Sequence, residues 1–303
     1  MSVAVGSVTA MASDLPVLRD LWDFGDPEGS RKRFEDLAAA PAAEADPGYR
    51  AEVLTQIART YGLQQRFEEA DAVLDRVDAT LTPQMSAASV RSRLERGRVR
   101  NSAGEPAASV PFFTEALEQA QSAGLDDLAV DAAHMLGIVE PDAAGTAWNE
   151  RALEMAEASA DPAAQRWKGS LLNNLGWAYH DRGEHDAARG MFERCLAYHT
   201  ENGPDDRAAI ARWSVAKMDR FVGRTQEALK IQSELLERPD HRDNELEGYA
   251  REELAECLLA LGRAGEAQPH FARAYELLHT DPWLARDEAA RLERLRDLGG
   301  LPG

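Results

Sequence analysis

The sequence predicts an all-α fold, a solenoid of about seven helix-turn-helix repeats followed by a C-terminal capping helix. Three observations predict it. Small residues recur in equivalent surroundings at Ala58, Gly97, Gly137, Gly176, Ala216 and Ala255, with separations of 39, 40, 39, 40 and 39 residues. Glycines keep the same register at Gly104, Gly183, Gly223 and Gly262, where a residue free to take positive φ can end one helix and let the next begin. In the second half of the period, small and large side chains stand one helical turn apart at Ala70/Leu74, Ser109/Phe113, Ala188/Phe192 and Ala267/Phe271.

Taken in order, residues 1–14 contain small and apolar residues but neither a basic leader nor a continuous hydrophobic run. They make a poor signal peptide and read as a disordered tail. The repeat array is expected over 15–281 and opens with a degenerate unit, since Leu18 lies 40 residues before Ala58 and is followed by Leu21, Gly25 and Phe34. The unit around Gly137 is irregular: Pro141 and Asp142 should end its first helix early, and Trp148 enters its second. In the clearest unit, Leu172, Leu175, Gly176 and Tyr179 precede the turn at Gly183 and then Ala188, Phe192 and Leu196. The segment 282–303 holds the cap, with Pro282 to Leu298 reading as one charged helix that shields the terminal core. Stacking is obligatory because a hairpin of two amphipathic helices cannot bury its apolar stripe alone.

These residues resemble the tetratricopeptide repeat. Leu172-x2-Leu175-Gly176-x2-Tyr179 with Ala188-x3-Phe192 follows its pattern, Leu54-x2-Ile57-Ala58-x2-Tyr61 with Ala70-x3-Leu74 nearly does, and Arg251-x2-Leu254-Ala255-x2-Leu258 with Ala267-x3-Phe271 is a weaker third. The resemblance covers roughly residues 15 to 280 and implies a right-handed superhelix. The period of 39 to 40 residues exceeds the usual value of about 34, as in the longer variants of kinesin light chains and bacterial regulators. HEAT-type arrays share the longer period but do not predict the Leu-Gly-x2-Tyr and Ala-x3-Phe pairing.

Composition narrows the function. With 34 basic against 53 acidic side chains the net charge is −19, which repels phosphate backbones and anionic lipid, so neither nucleic acid nor a membrane is the expected partner. Charges interrupt every stretch that could span a bilayer. Cys195 and Cys257 are far apart and outside any CxxC or Cys/His cluster, which suggests buried packing thiols in a reducing cytoplasm.

The resemblance implies that the first helix of each pair lines a concave groove, and helical spacing then names the residues beside its buried stripe. They are Glu52, Thr55 and Arg59; Arg91, Leu94, Arg98 and Asn101; Asp131 and His134; Asn173, Trp177 and His180; Trp213, Lys217 and Arg220; and Tyr249, Glu252 and Glu256. Arg59, Arg91, Arg98, Lys217 and Arg220 would grip carboxylates, which suits a peptide with an acidic segment or free C-terminus. The competing reading is that these bases pair with neighbouring Glu and Asp. Trp177 and Trp213 would anchor partner side chains or, alternatively, pack between repeats. Asn173 matches a polar position of carboxylate-clamp members, but Trp177 stands where those carry asparagine.

No HExxH, phosphate loop, GxSxG elbow or dinucleotide fingerprint occurs, so no catalytic residue, metal or cofactor is expected. The sharpest catalytic constellation is Glu252 and Glu256 with His180, and acidic pairs at that spacing are common in so acidic a chain. His134, His185, His199, His241, His270 and His279 show no ligand spacing on one helix face. The sequence therefore points to a scaffold or adaptor holding a protein or peptide. A ligand-responsive sensor is the alternative, and an enzyme built in the groove is the third reading.

Overall fold

The computed structural model describes residues 15–203, 205–237 and 244–302, all of them helix, turn or connection without a strand. The 1–14 tail and His241 lie outside them. The chain divides into two compact units, residues 1–165 and 166–303.

The first unit begins with a 3-10 turn, Leu18–Leu21, and helices α1 (Pro27–Ala38) and α2 (Pro41–Glu44). Leu18 therefore lies in a short turn, not in the first helix expected of the degenerate repeat. Gly25 and Pro27 follow too soon for a helix to extend, and Asp26 starts α1 afresh by accepting the Gly29 N–H. Three hairpins come next: α3 (Pro47–Leu63) with α4 (Phe67–Asp78), α5 (Ser86–Ser102) with α6 (Pro106–Ala123), and α7 (Asp126–Val139) with α8 (Asp142–Ala158). The short α9 (Pro162–Gln165) ends the unit. As the sequence suggests, Pro141 closes the α7 segment, and it stands immediately before α8.

The second unit holds α10 (Lys168–Asp181) with α11 (His185–Asn202), α12 (Asp205–Phe221) with α13 (Thr225–Leu236), and α14 (Asn244–Ala260) with α15 (Ala264–Leu278). The cap is two helices instead of the expected one, α16 (Pro282–Asp287) and α17 (Ala289–Leu298), because Glu288 leaves helical geometry at φ −128°, ψ 34°.

The repeat positions pack as their spacing requires. Gly104, Gly183, Gly223 and Gly262 take φ of 83°, 75°, 83° and 75°, and the equivalent place between α3 and α4 is held by Gln65 at φ 58°. Gly176 must lack a side chain, since a Cβ there would come within 2.5 Å of the fully buried Phe192 ring. Gly97 stands in the same relation to Phe113, at 2.4 Å. Phe113, Phe192 and Phe271 each lie 16 residues beyond their small partners Gly97, Gly176 and Ala255. In α13 this place is taken by Gln232, fully buried, whose amide donates to the Trp213 carbonyl at 3.3 Å.

Candidate functional site in the second unit

First helices α10, α12 and α14 each contribute one aromatic ring at a spacing of 36 residues: Trp177, Trp213 and Tyr249. The rings form a column, Trp177 to Trp213 at 5.9 Å and Trp213 to Tyr249 at 5.7 Å between centroids. Trp213 is 8% exposed, and its indole N–H has no hydrogen-bond partner. Trp177 rests on Phe192 at 5.1 Å, so the column is braced by the repeat core.

The column forms one wall of a cleft of about 630 Å³. His180, Lys217 and Glu252 line it with the three rings, as do Asp181, Ile210, Leu246, Trp283, Glu288 and Arg291. Trp283, half exposed, and Arg291 come from the cap, and sequence reasoning missed both because the cap was read only as a shield. A tryptophan placed beyond the last full repeat was the available signal.

The cations in and beside the cleft are paired. Glu253, 2% exposed, accepts from Lys217 Nζ at 2.5 Å and from Arg220 Nε at 2.8 Å. Burial opposes the charge on Glu253, yet Lys217 and Arg220 together hold its carboxyl below the usual carboxylate range. Arg291 grips Glu252 through Nε at 2.8 Å and Nη2 at 2.5 Å, with its guanidinium 5.3 Å from the Tyr249 ring. Lys217 Nζ stands 5.3 Å from the Trp213 ring. Burial, Lys217 and His185 push His180 below the ordinary histidine value. Glu256, paired with Arg294, Arg220, paired with Glu253, and the half-buried Asn173 of α10 lie outside the cleft lining.

The remaining predicted residues belong to the first unit. Arg59, Arg98 and Asn101 line a smaller cleft of about 180 Å³ together with Glu95 and Met135. Arg98 donates to Glu95 at 2.6 Å and to Asp131 at 2.5 Å. Burial opposes the Asp131 charge, but Arg98 and Arg59 hold its carboxyl low. Arg59 has a looser contact with Glu95, 3.6 Å, and faces the stacked rings of Trp22 and Phe24. Burial and the nearby Arg98 push its pKa down. Arg91 donates to Glu52 at 3.0 Å, and His134 lies 3.4 Å from Asn149 Oδ1. The competing reading of the basic row, internal pairing, is thus what the geometry displays at Arg91, Arg98, Lys217 and Arg220.

Both cysteines are buried and free. Among the described residues no cluster of three or more His, Cys, Asp or Glu could hold a metal, and no helix is long and apolar enough to cross a membrane.

Residues 167–240 match the tetratricopeptide repeat family model. No curated protein sequence matches the chain. Among solved structures, the chain is similar to a signal transduction ATPase with numerous domains (STAND) that carries a tetratricopeptide repeat sensor, from Pyrococcus horikoshii. The TM-score is 0.69 at 16% identity, over 89% of this chain and 42% of that one, so this chain spans less than half of that protein. It is also similar to the apo form of the quorum sensor NprR from B. thuringiensis, with a TM-score of 0.59 at 13% identity over 92% and 82% of the two chains. A third likeness is to the APC/C hetero-tetramer Cut9–Hcn1, with a TM-score of 0.58 at 14% identity over 93% and 47%. Residues 167–240 are tetratricopeptide-repeat sequence, and the described chain has the all-α fold of a tetratricopeptide-repeat protein.

Proposed function

We propose that this chain binds a protein segment, and that the cleft of the second unit takes an aromatic or aliphatic side chain of that segment as its anchor. The observation that carries the reading is the column Trp177–Trp213–Tyr249, faced by the half-exposed Trp283, along a cleft of about 630 Å³. Large aromatics in a concave site are the usual source of binding energy for a partner's side chains. An acidic ligand is less well supported, because Lys217 and Arg291 already hold carboxylates and Asp181, Glu252 and Glu288 line the same cleft. An apolar anchor gains from desolvation whatever the charge around it.

Such a site suits a constitutive scaffold or a sensor. The sensor reading draws support from the likeness to NprR, a quorum sensor also solved in complex with its cognate peptide NprX, with a TM-score of 0.53. Residence in a reducing compartment such as the cytoplasm suits the two free, buried thiols.

The test is a selection of peptides from a random displayed library on the full chain, followed by affinity measurement on Trp283→Ala. Trp283 is half exposed, so the variant keeps its fold. Loss of an anchor contact worth about 2 kcal/mol should weaken selected peptides roughly 30-fold. Selected peptides that bind Trp283→Ala and Lys217→Met as tightly as wild type would show that the cleft is not the site.

A further inference from the structure

His180, in the last turn of α10, and His185, the first residue of α11, meet across the Gly183 turn with their Nδ1 atoms 3.2 Å apart. Phe221 lies against both rings, 4.9 Å from His180 and 4.5 Å from His185, and so restricts their orientation. The pair opens beside a second cleft of about 340 Å³ that His185, Asp186, Phe221 and Arg224 help to line.

We propose that His180 and His185 form a two-imidazole chelate for a divalent first-row transition ion, with Cu²⁺ bound most tightly. Imidazole nitrogens sit about 2.0–2.1 Å from such an ion, so two of them lie about 3.3–3.4 Å apart in tetrahedral geometry and about 2.8–3.0 Å apart when cis in a square plane. The observed 3.2 Å falls between these values, and both donor atoms already face each other. Chelation keeps this separation to within a few tenths of an ångström and requires the rings to tilt, so that the two lone pairs aim at the ion instead of at each other. At 3.2 Å, the metal-free contact is one in which one Nδ1–H donates to the other Nδ1. Chelation moves that proton to Nε2 of the same ring, frees both Nδ1 lone pairs and releases no net proton.

The electrostatics are balanced enough to admit a dication. The C-terminal end of α10 favours positive charge on the His180 side of the pair. Asp181 and Asp186 adjoin the two ligands in sequence, while Lys217 and Arg224 bring positive charge to the neighbourhood. No third protein ligand is present among the described residues, so water or a donor of a bound molecule completes the shell. The affinity of such a chelate lies in the micromolar range, not that of a closed structural zinc site. Because His180 also lines the aromatic cleft, metal loading is placed one side chain from the peptide site, yet the chelate does not depend on that site having a ligand.

The decisive measurement is Cu²⁺ titration of the untagged full chain, read by calorimetry and by electron paramagnetic resonance. One equivalent should bind with a Kd on the order of 1–10 μM and give couplings from two imidazole nitrogens, and His185→Ala should weaken it at least about tenfold. His185 is only half-buried at a helix start, so that variant folds, and circular dichroism verifies it. His270→Ala, a control on α15, should bind as wild type. Binding that survives His185→Ala, a single-nitrogen signature, or no binding up to about 1 mM would each overturn the proposal.

Discussion

Glu253→Gln removes one carboxylate from beneath two cations and gives a measure of how far the inner basic row is internally neutralised. Glu253 is 2% exposed and receives hydrogen bonds from Lys217 Nζ and from Arg220 Nε and Nη2, at 2.5, 2.8 and 3.2 Å. Breaking a buried ion pair by deleting one partner costs about 3–5 kcal/mol, because the other charge is left uncompensated. Here the orphaned side chains keep 15% and 19% of their exposure and the glutamine oxygen still accepts one hydrogen bond, which brings the expected cost to about 2–3 kcal/mol. For a unit of this size that corresponds to a fall in Tm of about 6–12 °C. Tryptophan fluorescence reports it, since Trp167, Trp177, Trp213 and Trp283 all belong to residues 166–303. The double variant Glu253→Gln/Lys217→Met should recover part of the loss, because one orphaned charge goes with the lysine.

The sign of the pH dependence adds a second check. Lys217 and Arg220 hold the folded Glu253 carboxyl below the value it has in the unfolded chain. Its stabilising contribution is therefore fully present above about pH 4–5 and is lost as pH falls through the lower folded pKa. The Tm gap between wild type and Glu253→Gln should be widest near neutrality and close in acid. A variant within about 2 °C of wild type at pH 7, or a gap that grows in acid, would refute the reasoning.

Three other outcomes follow from the packing. Gln65 occupies the left-handed turn position that glycine holds in four other hairpins, so Gln65→Gly should stabilise the first unit by about 0.5–1 kcal/mol in urea unfolding; a loss of stability would mean that its side chain matters more than its backbone. Gly176→Ala puts a methyl 2.5 Å from the fully buried Phe192 ring and should destabilise the second unit by about 1–3 kcal/mol, whereas Gly190→Ala, with open space around it, should not. Burial pushes the thiols of Cys195 and Cys257 up to about 11 and about 12, so iodoacetamide at pH 8 should label the native chain at least about 100-fold more slowly than the urea-unfolded one; comparable rates would contradict the burial.

The fold was legible because the repeat ties backbone requirement to side-chain identity at a fixed distance. Gly183 needs positive φ, Gly176 needs room for Phe192, and each demand recurs at whole periods, one and two away at Gly223 and Gly262, and two away at Gly97 with Phe113. Where the first repeat lost that coupling, the inference from Leu18 overreached: one apolar residue in register does not show that the intervening chain is helical. The break at Glu288 was hidden for the opposite reason, since no proline or glycine marks it. Of the candidate site, the aromatic column was readable from the inner face of the first helices, because Trp177, Trp213 and Tyr249 lie on that face 36 residues apart, about one helical turn short of a full repeat at each step. The contributions of Trp283 and Arg291 were not, as the cap lies outside the period. Nor was the His180–His185 contact, which a search along one helix face cannot find because a turn brings the rings together.

The inner charges have a period of their own, and it bears on how such rows should be read. In the first unit Arg91 reaches Glu52 across 39 residues, Arg59 reaches Glu95 across 36 and Arg98 reaches Asp131 across 33. In the second, Lys217 and Arg220 reach Glu253 across 36 and 33, and Arg291 reaches Glu252 across 39. Each separation is one repeat, or one repeat less one or two helical turns, so each pair joins the facing sides of consecutive first helices, or of α14 and the cap. A cation beside a neighbouring carboxylate at hydrogen-bond distance, both shielded from water, is a tie between repeats before it is a receptor for a ligand. The indoles of the cleft are not tied in this way. Trp213 leaves its N–H unpaired, and Trp283 leaves half its surface in water. These charges tie consecutive first helices, or α14 and the cap, and the half-exposed Trp283 stands outside those ties.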